Sequence, residues 1–92
     1  MRNHPALLDR LKAAAADRER AFDEARSAHG AWLDSLDTGD LATVAAAYAV
    51  LNEADAIYAA ARKREHVAAI AHREGLRSIE IDATVRREGV GR

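Results

Sequence analysis

The sequence predicts an all-α protein: a long antiparallel two-helix hairpin of coiled-coil type, followed by a short C-terminal extended arm or strand. Three observations predict it. Alanine fills 23 of the 92 positions, and alanine is the best helix former while burying little surface of its own. Apolar or small residues recur in steps of three and four along two runs, each of roughly 33 residues. A single cluster of turn-forming residues, Asp37-Thr38-Gly39-Asp40, separates the two runs.

The first helix is expected over about 5–37. Pro5 suits a first helical position, where its missing N–H leaves no bond unmade. The series Leu8, Leu11, Ala15, Arg18, Phe22, Ala25, His29, Trp32 and Leu36 then supplies a continuous seam, with the 3.5-residue mean spacing of a coiled coil. Arg18 and His29 are its polar breaks. Gly30 costs about 1 kcal/mol relative to alanine and marks a place for a bend.

Residues 37–40 form the loop. Gly39 is free to take a positive φ, and an Asp or Thr here caps the amides of the helix that follows. That second helix is expected over about 40–74 on the seam Leu41, Val44, Tyr48, Leu51, Asp55, Tyr58, Arg62, Glu65, Ala69 and His72. Val50, Ile57, Val67 and Ile70 lie off this seam and widen the apolar face. Gly75 is placed to end the helix.

A loop this short makes the two helices antiparallel, with facing residues whose numbers sum to about 77. Trp32 is then expected near Ala45–Tyr48, Phe22 near Asp55 and Tyr58, and the Ala13–Ala16 run near Ala59–Ala61. Residues 1–75 are read as the hairpin and 76–92 as the arm. In the arm, Ile79, Ile81, Ala83 and Val85 alternate with Glu80, Asp82, Thr84 and Arg86, the period of a strand. A lone strand has nothing to pair with in a two-helix protein, so a helical continuation, an arm ordered on a neighbour and a strand added to another sheet all stay open.

Composition narrows the functional classes. Cysteine is absent, so neither a disulfide framework nor a thiolate metal site is available. No apolar run reaches the roughly 18 residues of a membrane span, and no signal-peptide core follows the N-terminus. A cytoplasmic protein, or a part of an intracellularly assembled particle, is expected. The net charge of −1 conceals a gradient: residues 1–61 hold six basic and ten acidic side chains, and residues 62–92 eight and five.

No serine elbow, phosphate-cradling glycine loop or helical metal pair is present. His4, His72 and Glu74 would gather at the open end, but solvated helix-end histidines are the favoured reading of them. No cofactor, metal or small-molecule substrate is expected, and the chain reads as non-enzymatic. Arg18, Asp55, Arg62 and Glu65 on the seam fit the role of register-setting polar residues.

The leading expectation is therefore a protein–protein interaction or assembly subunit. It would work as a homo-oligomer or within a larger complex, with phage-type particle components as one example. Its candidate interface is Trp32, Val50, Ile57, Val67 and Ile70, joined by Ile79, Ile81 and Val85 from the arm. An alternative is a small nucleic-acid-associated regulator contacting phosphates through Arg62, Lys63, Arg64, Arg86 and Arg87. Interleaved acids and the lack of any aromatic after Tyr58 weigh against it. Another alternative is an inhibitor or antitoxin-like binder whose arm folds onto its target.

Overall fold

The computed structural model describes residues 4–89, with side chains from Pro5 to Ser78 together with that of Ile81. Two helices account for it: α1, His4–Leu36, and α2, Leu41–Gly89. They pack antiparallel as the expected hairpin. The result is a rod of 79 × 15 × 14 Å with a radius of gyration of 21.8 Å, against about 12 Å for a compact chain of this length.

The link is closed by its own polar groups. Ser35 Oγ donates to the Trp32 carbonyl at 2.6 Å, and Thr38 Oγ1 donates to the Ser35 carbonyl at 2.6 Å. The Asp37 and Thr38 amides return to Asp34 and Ser35 at 3.2 and 3.1 Å. Gly39 then takes a φ of 69°, which reverses the chain at little steric cost because it has no Cβ. Asp40 caps α2. Its carboxylate accepts from the Thr43 hydroxyl and from the Ala42 and Thr43 amides, and these bonds hold its pKa below the ordinary 3.8.

The seam is not quite the expected one. Leu11, Arg18, Ala25 and Trp32 of α1 and Val44, Leu51, Tyr58, Glu65 and His72 of α2 do face the opposite helix, all of them buried or half-buried. The positions between them are displaced by one residue. In α1 they are Leu7, Ala14, Ala21, Ala28 and Ser35. In α2 they are Ala47, Ala54, Ala61, Ala68 and Gly75. Phe22, His29, Leu36, Tyr48, Asp55 and Arg62, expected on the seam, are instead exposed flanking residues.

Packing distance explains the displacement. A small residue at every seventh position in both helices lets the two backbones approach closely, whereas Phe22 or Leu36 would hold them apart. Ala61 is accordingly the most enclosed core residue at 1% exposure. The larger Leu11, Trp32, Leu51 and Tyr58 fill the alternate layers.

The register also differs from expectation. Arg18 pairs with Glu65, and Leu7 lies against Gly75, so facing numbers sum to about 82. The alanines at 13 and 14 therefore meet Val67 and Ala68, not 59–61 as the shorter register requires. Trp32 does reach Tyr48, with ring centroids 6.1 Å apart, and Phe22 reaches Tyr58 at 5.5 Å.

Neither the expected stop at Gly75 nor the extended arm is found. α2 continues without a break through Gly75 to Gly89, and no strand occurs among the described residues. In this register α1 accompanies α2 only to about residue 78. The remaining turns of α2 project past it by roughly 16 Å. A lone strand at that end would leave its backbone donors and acceptors without a ladder, and a helix satisfies them internally.

Candidate protein-binding faces

Two helices cannot enclose each other, so each long edge of the hairpin presents a different surface. The first edge is aromatic. The displaced seam sends Phe22, Leu36, Tyr48 and Leu76 to this side, where all are exposed. Trp32 and Tyr58 rise from the seam between them. Arg62 belongs to this edge as well, its guanidinium 5.7 Å from the centroid of the Tyr58 ring. His29 Nε2 lies 3.9 Å from Asp55 Oδ2 across the same edge.

The opposite edge carries a groove of about 640 Å³. Ala13 and Ala14 of α1 face Ala60, Val67, Ala68 and Ala71 of α2 to form its apolar floor and walls. Arg10, Lys63 and Arg64 stand around it, with Asp17 as its acid. Asp17 is paired to Arg20 one turn along α1, which leaves the rim predominantly basic. The groove exists because small side chains line both helices there.

Toward the loop, the same edge of α2 bears Val50 and Ile57, both exposed. The positions Ala46, Val50, Glu53, Ile57, Ala60, Arg64, Val67 and Ala71 follow alternating steps of four and three, and so share one stripe. Val50 and Val67 are 58% and 59% exposed. Ile70 lies one turn-quarter behind the stripe and is also exposed.

The sequence-derived interface candidates thus fall in different places. Val50, Ile57 and Val67 form the stripe of α2, with Ile70 at its margin. Trp32 is half-buried on the aromatic edge. Ile81 is exposed on the projecting end of α2, while the side chains of Ile79 and Val85 lie outside the described residues. Of the basic candidates, Lys63 and Arg64 line the groove and Arg62 turns to the aromatic edge. The side chains of Arg86 and Arg87 lie outside the described residues. The groove and the exposed Phe22 and Leu36 were missed from sequence; the signal for both was the seven-residue repeat of small residues.

Comparison with protein-family models, curated proteins and solved structures finds no match to this chain. The faces must speak for themselves. Among the described residues no three His, Asp or Glu side chains are grouped so as to hold a metal ion, and no helix is long and apolar enough to cross a membrane.

Proposed function

We propose that this protein is a non-enzymatic assembly subunit that works by docking helix against helix. The observation that carries the reading is the α2 stripe, with Val50, Ile57 and Val67 each about half exposed on one straight edge. Isolated exposed apolar residues need no explanation. Val50, Ile57 and Val67, however, recur on one stripe, with Ala46, Ala60 and Ala71 among them and Glu53 and Arg64 as its two charges. Such a patch marks an interaction surface. The total accessible surface supports the same reading. It is 6974 Å², against about 5,200 Å² for a compact monomer of this mass. The excess of roughly 1,700 Å² is ample for a standard interface, which takes about 800 Å² from each partner.

The test is made in extract of a cell expressing the tagged full chain. Wild-type protein is expected to run in gel filtration as an assembly well above 10.0 kDa, and Val50→Asp/Val67→Asp to run as the free chain with its helicity retained. If wild type and variant both run as free chains, the assembly reading is wrong.

A further inference from the structure

The stripe that supports an assembly role also specifies a partner: we propose that it binds a second copy of this chain, α2 against α2 in antiparallel two-fold register about a point between Tyr58 and Ala59. This rests on the assembly reading and deepens it.

The register follows from the residues. Turning the α2 stripe end for end about that point sets Val50 on the second copy's Val67 and Ile57 on its Ala60. The same turn sets Glu53 on Arg64 of the second copy and Ala46 on its Ala71. All eight positions are used, and each contact occurs twice. Apolar groups meet apolar groups, the large Ile57 meets a small alanine, and the acid on the stripe meets the base. A closed two-fold dimer requires this kind of self-complementarity.

Shape agrees with chemistry. The groove occupies the Ala60–Ala71 half of the stripe, and Val50 and Ile57 are exposed on the other half. The two-fold operation puts Val50 and Ile57 of each copy over the groove of the other. Glu53 of one copy then arrives beside Lys63 and Arg64, where the rim is basic. Among the described residues neither Glu53 nor Arg64 has an ion-pair partner within its own hairpin.

Charge also selects the direction. In a parallel, in-register pair Glu53 would face its own copy and Arg64 would face its own copy, repulsive at both levels. The antiparallel pair makes two attractive contacts in their place. The contact runs along about 26 residues of helix, or roughly 39 Å. It turns two hairpins into a four-helix bundle with the aromatic edges outward.

The experiment uses purified full-length protein in sedimentation equilibrium over a wide concentration range, with circular dichroism to confirm unchanged helicity. Wild type is expected as a dimer of twice 10.0 kDa. Glu53→Arg and Arg64→Glu, both exposed substitutions, each weaken dimerisation by about tenfold or more, and the combined charge swap restores it to near the wild-type value. Rescue by the double variant requires these two residues to face each other between copies. A wild-type dimer indifferent to the single reversals, or one the double variant fails to restore, overturns the register while leaving the assembly reading intact. A purified chain that is monomeric throughout overturns the two-fold dimer. Migration in extract then decides separately whether the stripe serves a different protein.

Discussion

Gly75 lies so close to Leu7 that a Cβ on the glycine would overlap the Leu7 Cδ1. The glycine sits inside a helix, where it costs about 1 kcal/mol relative to alanine, and there it admits a leucine at the seam end. In the other layers of this series both partners are small, as with Ala14 opposite Ala68. At the open end the leucine is matched by the loss of a methyl across from it.

A double-mutant cycle separates the two contributions. Gly75→Ala alone is expected to change stability by less than about 1 kcal/mol, because the gain in helix propensity is offset by displacement of Leu7. On a Leu7→Ala background that opposition is gone, and the same change should stabilise by about 1 kcal/mol. Urea melts of the four proteins measure the coupling. If Gly75→Ala has the same effect with and without Leu7, the contact is irrelevant to the glycine.

Gly75 also shows what was legible in the sequence. As a residue type it signalled a helix end, because the contact that justifies it belongs to a residue far away in the chain. The helices themselves and the reversal at residues 37–40 were legible, since both rest on local preference. The seam was half legible. A four-three series and a three-four series share every second member, so Leu11, Arg18, Ala25 and Trp32 belong to either. Bulk favoured Phe22 and Leu36 for the rest, but the distance between the helices decides, and that favours Ala21, Ala28 and Ser35. The alternation from Ile79 to Arg86 suited a strand and left a helical continuation open; α2 arrives there already formed, and among the described residues no sheet is present to receive a strand. Val50, Ile57, Val67 and Ile70 stood out as surplus to the seam. The groove beside them did not, because it consists of what alanine lacks.

Arg18 and Glu65 form the polar layer of the seam. Arg18 Nε donates to Glu65 Oε1 at 2.7 Å, with the two side chains 31% and 27% exposed. Replacing either by alanine is expected to cost about 1–2 kcal/mol, less than for a fully buried pair because water still screens part of both groups. Replacing both should cost less than the two single effects added together, since neither charge is left alone. Denaturant titrations of the set check this. Strict additivity would mean that the pair is not coupled.

The cap at Asp40 gives a pH dependence of definite sign. Its pKa is lowered first by the Thr43 hydroxyl and then by the Thr43 and Ala42 amides. A depressed carboxyl pKa contributes stability that is fully present above the unfolded value and is lost as pH falls through the folded value. Asp40→Ala should therefore melt at a lower temperature than wild type near neutral pH, and the gap should close in acid below the ordinary 3.8. Asp40→Asn keeps a capping oxygen without the titration, so its melting temperature should change less between the two conditions. A gap between wild type and Asp40→Ala that persists undiminished in strong acid would show that the ionised carboxylate is not what stabilises the cap.

Ala61 tests the close approach of the helices directly. It is 1% exposed and lies in register with Ala21, itself buried, in the middle of the hairpin. A leucine here adds three carbons where neither backbone can yield without disturbing the alanine layers on both sides. Overpacking of this kind costs about 1–3 kcal/mol. Ala56→Leu is the matched control, because Ala56 is an exposed position on the same helix and should change stability by less than about 0.5 kcal/mol. On an expected bulky seam of Phe22, Tyr48 and Leu36, Ala61 would be a flank and the two substitutions would behave alike. Thermal melts in which Ala61→Leu matches Ala56→Leu would return the seam to that arrangement; a selective loss at Ala61 ties the stability of the hairpin to the seven-residue repeat of small side chains.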